Sequence, residues 1–112
     1  GDSYYEGLYE STTGLTFPAN GEILDGDIVG VDEFGDGTYF FIADVGPEAV
    51  ASTKLFVINR GYTKLQWPND YSYLEEYPEI DEEYSLEVEG GKKTNIVFLD
   101  DSRTIMIRIM TW

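Results

Sequence analysis

Tyr84-Ser85-Leu86-Glu87-Val88-Glu89-Gly90-Gly91-Lys92-Lys93-Thr94-Asn95-Ile96-Val97-Phe98-Leu99-Asp100-Asp101-Ser102, continued by Arg103 to Trp112, is the stretch that decides the fold class. Tyr84, Leu86 and Val88 alternate with Ser85, Glu87 and Glu89, the period-two pattern of a strand with an apolar inner and an acidic outer face. Gly90-Gly91 turns the chain, Thr94 to Leu99 answers, and Asp100-Asp101-Ser102 turns it again. In Arg103 to Trp112, Ile105, Ile107 and Ile109 share one face, and Met106, Arg108, Met110 and Trp112 the other. Both faces are apolar apart from Arg108, so this strand should be buried on both sides or covered by a loop.

Working outward, Glu22 to Val31 is a further strand candidate, and Asp36-Gly37 is a hairpin signal leading into Thr38 to Val45. Tyr4 to Thr12 reads as a first strand, with Tyr5, Gly7 and Tyr9 opposed in parity to Glu6, Leu8 and Glu10. Pro18-Ala19-Asn20-Gly21 marks a turn, and Gly46 to Val50 a single helical turn with Pro47 early in it. Thr53 to Asn59 and Tyr62 to Trp67 read as two strands around Arg60-Gly61. No window of ten or more residues shows a helical period free of Pro or Gly. The expectation is an all-β domain over 1–112, an antiparallel meander of about eight short strands closing into a small barrel or a two-sheet sandwich. A long irregular loop is expected at about 68–83.

Composition bounds the chemistry. The chain has 112 residues, 22 acidic and 7 basic, a formal net charge of −15, and neither Cys nor His. Disulfides, thiol chemistry, zinc sites built on Cys or His, and Ser-His or Cys-His dyads are therefore excluded. The charge repels a bare duplex and an anionic membrane surface, so no direct nucleic-acid partner is expected. Disorder is disfavoured, because 42% of residues are hydrophobic and 15% aromatic. The longest apolar run, Tyr39 to Ala43, is five residues, far short of the about 20 a membrane span needs. The chain opens on Gly1, as the mature part of a bacterial exported protein or lipoprotein would, and equally as a processed cytoplasmic chain would. An extracytoplasmic location (periplasmic, cell surface or secreted) is expected ahead of a cytoplasmic one.

Two stretches resemble known families. Tyr5-Glu6-Gly7-Leu8-Tyr9, followed by a meander whose last strand carries Arg108, resembles the small lipocalin-like (calycin) barrels. That resemblance implies an aromatic on the first strand packing near a basic residue of the last, with Tyr5 or Tyr9 where tryptophan is usual. Gly26-Asp27-Ile28-Val29-Gly30-Val31 with Asp36-Gly37-Thr38 to Val45 is similar to the central hairpin of SH3-like barrels, Tudor domains included. The Tudor relatives capture methylated cations in aromatic cages.

The candidate functional stretch is Trp67 to Tyr84. It carries Trp67, Tyr71, Tyr73 and Tyr77 with Glu75, Glu76, Glu79 and Asp81, and no basic residue. Tyr and Trp supply large contact areas with few torsions to freeze, and carboxylates steer a basic partner. The competing reading is a loop whose tyrosines pack back on the sheet. No catalytic carboxylate pair stands out among so many, a domain this small leaves little room for a deep cleft, and no enzyme and no cofactor is expected. Asp25-Gly26-Asp27 and Asp32 to Gly37 hold oxygen ligands but lack the EF-hand spacing, and turn chemistry accounts for them, so no metal site is assigned.

The functional expectation is a non-enzymatic binding domain that takes a basic protein surface or a carbohydrate ligand on its aromatic-acidic loop. The rival is an acidic inhibitor or immunity-type protein that fills a basic, nucleic-acid-like site by charge mimicry. Its signal is the first 53 residues, which hold 11 acidic side chains and no basic one. A third reading is a structural subunit whose last strand, ending in Trp112, pairs with a neighbour.

Overall fold

A computed structural model describes residues 2–30 and 36–112. The chain runs α1 (Asp2–Thr13), β1 (Glu22–Val29), β2 (Gly37–Asp44), α2 (Gly46–Asn59), β3 (Thr63–Lys64), a 3-10 turn (Ser72–Leu74), β4 (Ile80–Val88), β5 (Lys92–Leu99) and β6 (Thr104–Thr111). The strands form one six-stranded sheet in the order β1-β2-β6-β5-β4-β3, and every neighbouring pair is antiparallel. The protein is thus predominantly β, but not all-β, and the sheet is open. Among the described residues neither a barrel nor a second sheet forms, because β1 and β3 end the sheet at opposite edges.

The meander of the last third forms as its pattern requires. Gly90 and Gly91, at φ +97° and +89°, turn β4 into β5, and Asp101 turns β5 into β6. The Asp101 carboxylate accepts the N–H groups of Arg103 (3.0 Å) and Thr104 (2.9 Å) and the Thr104 hydroxyl (2.5 Å). Burial opposes its ionisation, but those hydrogen bonds outweigh burial and lower its pKa. β6 sits between β2 and β5 and is buried on both faces, as its composition demands.

Four segments differ from the sequence reading. Tyr4 to Thr12 is part of helix α1, where Tyr5, Leu8, Tyr9 and Thr13 line the inner stripe at helical spacing. Tyr and Thr favour strands, and Gly7 interrupts helical propensity, so the sequence carries a competing period of two. The residues that resemble a calycin first strand are therefore helical. Gly46 to Asn59 is one helix, with no strand at Thr53. Its buried positions, Val50, Thr53 and Val57, are at helical spacing, but exposed Leu55 and Ile58 hide that period. Tyr62 to Trp67 contributes only the two residues of β3. The irregular loop ends before Ile80, so Ile80 to Glu83 belong to β4.

The hairpin signal also shifts. Gly37 is paired with Thr111 inside the sheet, so it belongs to β2 and not to a turn. Val31, the end of the strand candidate, and Asp32 to Gly35 of the stretch weighed for oxygen ligands lie outside the described residues. The stretch similar to an SH3-like central hairpin does form the β1–β2 pair, but on the rim of an open sheet. Asp25-Gly26-Asp27 lies within β1, not in a turn.

Each face of the sheet carries its own core. On one face Phe41, Ile96, Phe98, Ile105 and Ile107 pack beneath the helices, which contribute Tyr9, Val50 and Val57, with Phe17 from the connection after α1. The Tyr9 and Thr53 hydroxyls share a hydrogen bond of 2.9 Å that ties α1 to α2. Gly26 lets α1 approach β1, since a Cβ there would lie 2.5 Å from the Tyr5 ring. On the opposite face Phe40, Ile42, Val97, Leu99 and Met106 are covered by the loop, through Tyr71 and Leu74.

Candidate partner-binding surface

The loop 68–79 lies across the sheet face opposite the helices, and its anchor is Glu83. This β4 carboxylate is fully buried. Its Oε1 accepts the Asn69 N–H (2.8 Å), and its Oε2 accepts Asn69 Nδ2 (3.0 Å), the Tyr71 hydroxyl (2.6 Å) and Asn95 Nδ2 (2.7 Å). Among the described residues no Lys or Arg ion-pairs with it. Arg108 reaches it only through Asn95 Oδ1 (3.4 Å), with the guanidinium 4.9 Å from the Tyr71 ring centre. A buried carboxylate is tolerable when donors replace its water, and here four do so. Burial, then the hydrogen bond and charge of Glu83, push the Tyr71 hydroxyl far above its usual pKa, so it remains a donor.

The tyrosines divide by depth. Tyr71 is buried, and Tyr73 stacks on Phe40 with ring centres 4.0 Å apart and planes 11° from parallel. Burial raises the Tyr73 hydroxyl, opposed by nearby Arg108. Tyr77 is half-buried, and its hydroxyl is raised by burial, then by Asp25 and Glu76. Asp25 of β1 thus sits near enough to act on the loop. A shallow cleft of about 400 Å³ opens over this surface, lined among others by Asn69, Asp70, Tyr71, Glu75, Tyr77 and Glu79.

The structure brings Tyr71, Tyr77, Glu75 and Glu79 to one cleft, with Glu76 exposed beside Tyr77. Trp67 is 79% exposed and stands just before the cleft rather than in its lining. Asp81 is elsewhere, 3.9 Å from Lys54 of α2. Beside it, Lys54 (2.9 Å) and Lys64 (2.8 Å) both pair with Glu82. Hydrogen bonds from Lys64 and Lys54 hold that carboxyl down at about 2. Arg103 pairs with Asp44 at 2.9 Å. Four of the seven basic side chains are therefore engaged inside the fold, and the loop's exposed carboxylates gain no basic neighbour from the loop itself.

Sequence reasoning missed Glu83, Asn69, Asn95 and Arg108 as a set. The signal was Arg108 and Asn95 beside the apolar runs of β5 and β6, where they are cross-strand neighbours. Among the described residues no helix is long and apolar enough to cross a membrane, and no group of three or more carboxylates is placed to hold a metal ion. Comparison with protein-family models, with curated proteins and with solved structures gives no match.

Proposed function

We propose that the protein is a non-enzymatic binding domain that docks a basic protein surface on the loop side of its sheet. One observation carries this reading: a loop pinned from beneath by Glu83 presents exposed Trp67 and the exposed carboxylates Asp70, Glu75, Glu76 and Glu79 around a cleft. A pinned loop loses little conformational freedom on binding. The carboxylates steer a cationic partner, while Trp67 and the half-buried Tyr77 supply contact area. Tyr71 and Tyr73 serve as the floor of this surface rather than as its contacts.

The test is titration with a lysine-rich peptide, followed by tryptophan emission, for the wild type, Trp67→Ala, and the triple variant Glu75→Gln/Glu76→Gln/Glu79→Gln. Affinity should fall about tenfold or more between about 20 and 300 mM salt, and similarly in the triple variant at low salt. Both variants should melt like the wild type. Equal affinity of the triple variant would remove the basis of the proposal. Salt-insensitive binding of an oligosaccharide, lost with Trp67→Ala, would replace the basic surface by a glycan. The charge-mimic reading draws on a different region, the base-free first 53 residues, and predicts a salt-steep partner indifferent to the triple variant.

A further inference from the structure

β1 ends the sheet, and among the described residues it hydrogen-bonds along one side only, to β2. Its free side is eight residues long and has no Lys or Pro. Leu24, Ile28 and Val29 on it are 39%, 48% and 50% exposed. Natural proteins usually blunt such an edge.

The direction of the free donors follows from the ladder. Val45 N–H bonds to the Arg103 carbonyl and Gly37 N–H to the Thr111 hydroxyl, so the odd residues of β2 donate toward β6 and the even ones toward β1. Phe40 faces Asp27, and Ile42 faces Asp25. Asp25 and Asp27 therefore donate inward, while the N–H groups of Gly26 and Ile28 point out along the free edge. Each is met by its predecessor's side chain: Gly26 N–H donates to Asp25 Oδ1 and Ile28 N–H to Asp27 Oδ1, both at 2.8 Å. The edge donors are thus screened by two carboxylates on short side chains, with Tyr5 on one face and Tyr77 on the other.

We propose that this edge accepts an extended basic segment of a partner protein as a seventh strand. Charge decides the occupant. A second copy would bring Asp25, Asp27 and Glu22 against their own kind in a chain of net charge −15, and would be repelled. Lys or Arg side chains of an incoming strand draw the Asp25 and Asp27 carboxylates outward. That releases the Gly26 and Ile28 N–H groups to the strand's carbonyls, so cationic side chains and ladder bonds are gained together. The carboxylates act as a latch that only a basic strand opens.

This deepens the basic-partner reading and rests on it, but it fails separately. The probe is a ten-residue peptide alternating lysine and valine, titrated into the wild type, Ile28→Pro, Asp25→Asn/Asp27→Asn, and the Glu75/Glu76/Glu79 triple variant. Ile28→Pro removes an outward N–H that β2 does not use, so the fold should persist, as its melting curve will show. Expected are at least tenfold weaker binding for Ile28→Pro and for the Asn pair, and slowed amide exchange at Gly26 and Ile28 in the wild-type complex. Unchanged affinity in Ile28→Pro with no protection of those amides overturns strand addition. If the triple variant alone then loses the peptide, the loop reading stands without it. If the wild type does not bind the peptide, both fall. Self-association of the wild type through β1 would overturn the choice of occupant.

Discussion

On one face of the sheet the cover is two helices carrying Tyr9, Val50 and Val57; on the other it is a loop carrying Tyr71, Leu74 and Tyr77. The helices satisfy their own backbone and press side chains on the sheet, and the polar groups buried on that face are neutral hydroxyls such as the shared Tyr9–Thr53 pair, Thr13 and Thr94. A loop brings unpaired N–H groups with it. The sheet answers with a buried anion, Glu83, which collects one loop N–H, two loop side-chain donors and Asn95. Irregular cover thus needs a polar anchor in the sheet where helical cover needs none. The anchored face is also the one with the cleft and the carboxylates.

The sharpest test of this contrast uses adjacent residues of β6. Ile107 points to the helices and Met106 to the loop, and both are fully buried. Ile107→Ala should cost about 4 kcal/mol, because two helices cannot close on the void; Met106→Ala should cost about 2 to 3, because the loop can settle. Denaturant melts of the pair measure this, and equal costs would mean the loop is as stiff as the helices.

Glu83→Gln comes next. It presents an amide to Asn69, Tyr71 and Asn95, all donors, and should destabilise by about 2 kcal/mol. Hydrogen exchange should quicken at the amides of Asn69, Leu74 and Tyr77 while those of α1 and α2 keep their protection. Uniform loss of protection would mean that the two faces do not come apart.

The smallest effect is electrostatic and belongs to the helix side. Glu82, held near 2 against an ordinary value near 4.5, is charged in the folded state down to lower pH than in the unfolded chain. Its contribution is present above about 4.5 and fades as pH falls toward 2. The melting-temperature gap between wild type and Glu82→Gln should therefore close across that interval, starting from about 1 kcal/mol or less for so exposed a pair. A gap that persists at pH 2 would contradict the assigned ion pairs.

The sequence pattern carries the parts bounded by clear turn signals. β4 follows from alternation, β5 and β6 from short apolar runs between Gly and Asp turns, and the two-faced apolarity of β6 places it inside the sheet. The helices were hidden for two reasons. In α1, aromatic and Thr residues favour strands locally, and only packing on Gly26 and Thr53 favours the helix. In α2, exposed Leu55 and Ile58 blur the stripe. The tyrosines of the loop were recognisable as a group, but their depth was not. Depth depends on Glu83, whose acidic character reads as surface until its four donors, from residues 69, 71 and 95, are assembled around it.

The order of strands has a consequence for how the chain acquires its shape. β6, which joins the β1–β2 pair to the β3–β4–β5 group, is the last of the six to be synthesised. Phe41 and Ile107, neighbours across β2 and β6, are far apart in sequence, so closing that contact carries a large loop entropy. Until it closes, an emerging chain holds two half-sheets with raw inner margins. The protein's exposure to aggregation should be concentrated in that interval, and chaperones that shield unpaired strands should matter most then.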